Sequence, residues 1–485
     1  MNVMPDGTPI RRVLVVAYVF PPAGGAGVQR VTKFVKYLPE FGWDCSVLTV
    51  ANPSVPVFDE TLAKEVPEST VVRQARTLEP GYALKNAVSA GNAATSSAKQ
   101  SGGIKKLIKS TVRAIGNAVL QPDAQILWYP GAMKEGLQLL SELKHDAIFV
   151  TAPPFSSFVT GAALSRRSGL PLIVDYRDEW GISNQFQENR QKSSLSHSLQ
   201  NRMQQKVLRQ ASAVVATTGR SAESVAESVQ RANGHATVSC VYNGYDSTDF
   251  STSAQCTDDV GPEPNMETSD DSSVSTERRL RIAYVGTLWN LTSIEPVVAA
   301  IEKVAAEDLE KAARIDLVVA GRSTAAQDEI LDRLSGLPCR LVREGYVDHQ
   351  KAIEIMWQAD LQCLLLSDVP EAGRVVPAKT FEYLGLGGQI IYVGPPGEVS
   401  EILGDFPQAN SFLPADTDGI ANYFCQRLDA SWTDGEKADC ASSVRFERRT
   451  LTGQLAGILN QTCAIRDGMP ATGEEVGREV AGATA

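Results

Sequence analysis

One pattern constrains this chain more than any other: short runs of β-branched and aliphatic residues, each followed by a turn and an amphipathic segment. In the first half the runs cover 13–17, 44–50, 147–150, 172–175, 213–217 and 238–242. A second series covers 281–285, 315–320, 341–345, 361–366 and 389–393. Each run is nearly continuous in hydrophobic residues rather than alternating, as expected for a strand covered on both faces and hence for a parallel sheet. The segments between them read as helices; in 27–41, Val28, Val31, Phe34, Val35 and Leu38 share one face. Strand and helix alternating on both sides of a polar break predict an α/β protein of two doubly wound domains.

The polar break is 251–279. Between 251 and 277 it holds seven acids (Asp258, Asp259, Glu263, Glu267, Asp270, Asp271 and Glu277) and no Lys or Arg. Such a segment cannot bury enough apolar surface to order itself, so a disordered linker is expected. It carries most of the excess of 57 acids over 46 Lys and Arg. The expected organisation is a domain over 1–250, the linker, a domain over 280–440, a helix within 441–462 and a mobile tail over 463–485. Residues 86–103 form a second flexible stretch of small residues. In 104–120, Ile104, Leu107, Ile108, Val112, Ile115 and Val119 fall on one helical face, with Lys105, Lys106, Lys109 and Arg113 largely on the other. That helix either touches an anionic membrane or lipid-linked acceptor, or packs on its own domain.

A net charge of −11 argues against a general nucleic-acid binder, whose affinity rests on cationic surface. The eight cysteines are scattered with no CxxC pair, and there are four histidines, so neither a disulfide framework nor a metal centre is expected. The first apolar run stops at Pro21-Pro22, unlike a signal peptide. No window reaches the ~18 consecutive apolar residues of a membrane span. The expectation is a reduced cytoplasmic protein, peripheral on the inner face of the membrane only if the 104–120 helix is interfacial.

Candidate chemistry sits just past strand ends, where open parallel sheets bind ligands. The first run enters YVFPPAGGAGVQR, in which Gly25 and Gly27 would let backbone approach a ligand at a helix N-terminus. Arg30 stands where a dinucleotide fingerprint has its third glycine, which weakens a dehydrogenase reading. TAPPFSS carries Ser156. VDYRDEW carries Arg177, Asp178, Glu179 and Trp180; Asp178 or Glu179 could bond a sugar hydroxyl and Trp180 stack on a sugar face, or Arg177 could simply pair with a neighbouring acid. In the second half, Gly286 and Thr287 follow the first strand, and Arg322 offers a guanidinium for a phosphate. The segment EAGRVVPAKTFEYLG is the most informative. Pro377 suits a first helical turn, and Lys379 and Glu382 share a face. Lys379, Arg374 and the helix dipole would favour a diphosphate, and Glu382 ribose hydroxyls; the plainer alternative is a surface ion pair.

Together these segments resemble the GT-B glycosyltransferases of family 4. The opening strand–loop–helix, TAPPFSS, VDYRDEW, VYNGYD (with Asn243), VGTLWN and PAKTFEYLG all carry the likeness, which spans nearly the whole chain. The resemblance implies two Rossmann-like domains facing a central cleft. A nucleotide-diphosphate sugar would bind mainly to the second, and a glycan or lipid-linked acceptor would face the first. It also implies metal-independent transfer with retention at the anomeric carbon and no cofactor. Lys379, Arg322 and Asp178 are then catalytic candidates. Gly25, Gly27, Gly286, Thr287, Arg374, Lys379 and Glu382 are donor-binding candidates. Ser156, Arg177, Trp180 and Asn243 are acceptor candidates. The sequence departs from the family at Arg374, where a first glutamate is usual, at 286–292, where Arg and Lys are usual, and at Phe158, where relatives often carry histidine. Envelope or exopolysaccharide synthesis is the expected setting. A silent scaffold or glycan-binding partner, and another GT-B enzyme such as a sugar-nucleotide epimerase, are the alternatives.

Overall fold

The computed structural model describes residues 10–24, 26–53, 59–79, 120–181, 194–250, 278–430 and 440–467. Gly25, the stretch 86–103, all but the last residue of the 104–120 segment and the acidic segment 251–277 lie outside the described residues.

The chain forms two units, each around one parallel sheet. The first contains 1–216, 222–241 and 452–485; the second contains 217–221 and 242–451. In the first, β1 (Arg11–Val16), β2 (Trp43–Val50), β3 (Val71–Ala75), β4 (Ala147–Ala152), β5 (Leu172–Tyr176), β6 (Ala213–Ala216) and β7 (Thr237–Cys240) line up in the order β3-β2-β1-β4-β5-β6-β7. In the second, β8 (Leu280–Val285), β9 (Ile315–Ala320), β10 (Arg340–Gly345), β11 (Leu361–Leu365), β12 (Ile390–Val393) and β13 (Ala409–Phe412) give β10-β9-β8-β11-β12-β13. Every pairing is parallel. Both orders are those of the doubly wound nucleotide-binding fold, which reverses direction beside its first strand.

The central strands are as apolar as their sequences promise: Val13, Leu14, Val15 and Val16 of β1 are all buried. The Ala26–Tyr37 helix buries Val28, Val31, Phe34 and Val35. A 3₁₀ turn over Leu38–Phe41 follows it and closes on Gly42 at φ 78°, a conformation that glycine adopts without strain. Two strands escape the sequence reading. β3 alternates between covered and exposed residues and ends on buried Ala75, and β13 (ANSF) is short and polar; both are edge strands with solvent on one side.

The last helix, Arg448–Arg466, starts in the second unit and runs on within the first. There the Trp43 indole donates to Asn460 at 3.1 Å and Arg466 to the Asp146 carbonyl at 2.8 Å. The helix continues past Thr462 because Cys463 is fully buried, so the mobile tail expected from 463 does not begin there. Among the described residues no helix is long and apolar enough to cross a membrane.

Candidate functional site

In the second unit the reversal of strand order falls between β8 and β11, and ligands of such sheets bind outside the strand ends at that point. A cavity of ≈ 180 Å3 opens there. Val285, Gly286 and Thr287 line it from β8, Leu364 and Leu365 from β11, and Pro377, Lys379 and Tyr383 from the Lys379–Leu386 helix and the turn before it. Gly286 (φ 155°) and Gly321 (φ 131°) pack backbone against backbone, and a Cβ on Gly321 would stand 1.9 Å from the Gly286 carbonyl oxygen. The loop after Gly286 is tied down by its own hydroxyls. Tyr284 donates to the Thr287 carbonyl at 3.0 Å and Thr292 to the same carbonyl at 2.5 Å.

Lys379, which lines the cavity, pairs with Glu382 behind it, Nζ to Oε2 at 2.7 Å. The pair is not the surface contact that helical spacing alone would allow, since the Glu382 side chain is 8% exposed and that of Lys379 25%. Burial pushes the Glu382 carboxyl up, but Lys379 and then His349 outweigh it and hold it below its ordinary value. His349 opens the His349–Trp357 helix and lies 3.3 Å from Asp249. The helix carrying Lys379 ends at Gly387 (φ 69°), whose N–H caps the Tyr383 and Leu384 carbonyls. Its far side packs Phe381 against Tyr242 and Phe446, at centroid distances of 5.7 and 5.0 Å. Asn243 follows Tyr242 on this segment and is half-buried.

The remaining second-unit candidates lie elsewhere. Arg374 pairs with Glu371 at 3.1 Å, and its carbonyl accepts the Thr218 hydroxyl at 3.1 Å. Arg322 is exposed, its guanidinium 5.5 Å from the Tyr346 ring centroid, and does not line the cavity. Nearby, Glu398 receives the backbone N–H groups of Gly219 and Arg220.

In the first unit the loops after β1, β4 and β5 are joined by Arg177. Its guanidinium donates to the Gly27 carbonyl at 2.7 Å and to the Pro153 carbonyl at 3.4 Å. A Cβ on Gly27 would lie 2.3 Å from that guanidinium, so Arg177 fills the space that the sequence reading left for a ligand. Arg30, at the position of the missing third glycine, is buried beneath and paired with Asp175 at 2.8 Å. Two acceptor candidates need correction. Trp180 is 2% exposed, stacks on Phe155 at 4.6 Å and donates its indole N–H to Gln200, so no sugar meets its face. Ser156 is 1% exposed, and its backbone N–H donates to Asp123 at 3.1 Å. Asp178 is exposed and 3.8 Å from Arg177. Phe158 is fully buried against Tyr176 and Trp180.

Sequence reasoning missed Tyr284, Thr292, Tyr383 and His349. Asp348, whose carboxylate caps the His349–Trp357 helix, was a readable start signal; the approach of His349 to Glu382 is tertiary and left no local trace.

Two Rossmann-like α/β units in one chain define the class: this is a GT-B-fold protein resembling glycosyltransferase family 4. Residues 24–240 match the family described as glycosyl transferase 4-like domain. Among solved structures, sucrose-phosphate synthase from Thermosynechococcus elongatus is 14% identical, with TM-score 0.60 over 94% of this chain and 100% of that one. HepE of Anabaena, solved in complex with UDP and glucose, is 16% identical, with TM-score 0.54 over 92% and 99%. Trehalose 6-phosphate synthase from Burkholderia multivorans is 11% identical, with TM-score 0.55 over 96% and 100%. No curated protein matches the sequence significantly. At these identities the likeness to solved structures carries the fold.

Proposed function

We propose that the chain is a retaining, metal-independent glycosyltransferase that takes a nucleotide-diphosphate sugar in its second unit. The acceptor is a glycan or a lipid-linked glycan, in envelope or exopolysaccharide synthesis. The observation that carries the reading is Lys379, lining the switch-point cavity and paired with part-buried Glu382. Its ≈ 180 Å3 suits a pyrophosphate or one sugar ring rather than a whole nucleotide sugar, since pockets that enclose drug-sized ligands run to roughly 300–1,000 Å3. The complex of HepE with UDP and glucose supports this class of donor.

Departure of the nucleotide builds negative charge on the leaving phosphate, and a preorganised cation meets it best in a water-poor site. Lys379 supplies that charge, and the N-terminal end of its helix adds to it. Glu382 is left as an acceptor for ribose hydroxyls. Retention then follows from attack on the face the phosphate leaves, with the phosphate taking the acceptor's proton. Arg322, Arg374 and Asp178 remain outside this core set, and the peripheral membrane role of 104–120 belongs to the same proposal.

Thermal-shift measurements with UDP-, GDP-, ADP- and dTDP-sugars test it. A donor at one hundred times its Kd should stabilise by about 2.7 kcal/mol, and any hit should then be hydrolysed slowly. Absence of a shift with all four contradicts the proposal. A second reading, a fold that binds glycans without transfer, draws on two observations: Phe158 is core, and Arg374 is held by Glu371.

A further inference from the structure

The Ser156–Ser168 helix begins just after β4 and ends just before β5, so its C-terminus lies at the sheet edge opposite the β1, β4 and β5 loops. The Ser194–Gln210 helix leads into β6 and ends at the same edge. Between the two helix ends lies an open groove of ≈ 610 Å3, lined by Arg166, Gly169, Leu170, Lys206, Arg209 and Gln210 among others. Arg166, Arg167, Lys206 and Arg209 are all exposed, and among the described residues none of them pairs with a carboxylate. That is unusual company on a chain whose net charge is −11.

Cations near helix C-termini often serve the carbonyls left over there. Here a backbone donor already takes one such carbonyl at each end. Gly169 N–H donates to Ser165 at 2.8 Å. Ala211 N–H donates to Val207 at 3.0 Å. Of these cations only Arg209 bonds to the described residues, its Nε donating to the Ala232 carbonyl at 3.1 Å, which anchors its guanidinium. Arg166 and Lys206 make no side-chain hydrogen bond among the described residues.

We propose that this groove binds a soluble phosphate-bearing small molecule, at a site separate from the Lys379 cavity. Guanidinium forks match phosphate oxygens two at a time, and a lysine adds a mobile point charge. The groove volume lies within the roughly 300–1,000 Å3 of small-ligand sites. Half-buried Leu170 offers an apolar wall for the rest of the molecule.

Inorganic pyrophosphate, titrated calorimetrically into the full chain, is the probe. The Lys379→Ala variant should retain a pyrophosphate site, and adding Arg166→Glu and Lys206→Glu should weaken that site at least ten-fold. If the charge reversals impair folding, Arg166→Gln with Lys206→Gln replaces them, with the same expectation. Three outcomes overturn the proposal. One is no binding below millimolar pyrophosphate in Lys379→Ala. Another is affinity untouched by either double variant. The third is co-sedimentation with anionic phosphatidylglycerol vesicles that the variants abolish and pyrophosphate does not compete away, which assigns the groove to a membrane.

Discussion

The Lys379 ammonium rests 2.7 Å from the Glu382 carboxylate, one helical turn on, with the acid nearly buried and the base reachable from the cavity. Such a pair is already charged and oriented before a ligand arrives, which is the arrangement that stabilises a leaving phosphate without reorganisation. Lys379→Ala should lower sugar transfer at least ten-fold, about 1.4 kcal/mol at the transition state. Steady-state rates at saturating donor check this, and an unchanged rate removes Lys379 from the site.

The same pair gives stability a pH dependence. Glu382 ionises below its ordinary value of 4.5, so its contribution is complete above that value and is lost as pH falls through its depressed pKa. Glu382→Gln should therefore be less stable than the parent at pH 7, with the gap closing under acid conditions. Urea midpoints across a pH series measure it; a gap that widens on acidification contradicts it.

Arg30 and Asp175 form a pair with both side chains 1% exposed, and the Thr151 hydroxyl adds a 2.7 Å bond to the carboxylate. Removing one partner strands the other charge in the core, so Arg30→Ala should cost about 3–5 kcal/mol. Replacing both with apolar residues of similar volume should recover much of the loss. Denaturant unfolding of the single and double variants distinguishes these outcomes.

Trp180 belongs to an aromatic cluster with Phe155 and Phe158 rather than to a sugar platform. Trp180→Ala should destabilise by about 3–5 kcal/mol through the cavity it leaves. Donor affinity, measured where the variant is still folded, should stay the same.

The two-sheet architecture was legible because buried parallel strands announce themselves as unbroken hydrophobic runs: β1, β4, β5 and β8 were all visible. β3 and β13 were not, because an edge strand needs no such run. In the site, Lys379 and Glu382 could be read from helical spacing and the preceding proline. Gly27 and Trp180 were misread for one physical reason. A small residue or an aromatic past a strand end is equally suited to meeting a ligand or a neighbouring side chain, and only tertiary contacts decide: Arg177 for the one, Phe155 for the other. His349 illustrates the converse, an imidazole from a different helix that helps hold Glu382 below its ordinary value.

Calorimetric titration of the nucleotide-diphosphate sugar selected by thermal shift, into the parent chain and into Glu382→Ala, tests the central claim most directly. Binding at the Lys379–Glu382 cavity predicts a donor site whose affinity falls at least ten-fold in the variant, while equal affinity in the two proteins would show that the donor binds elsewhere.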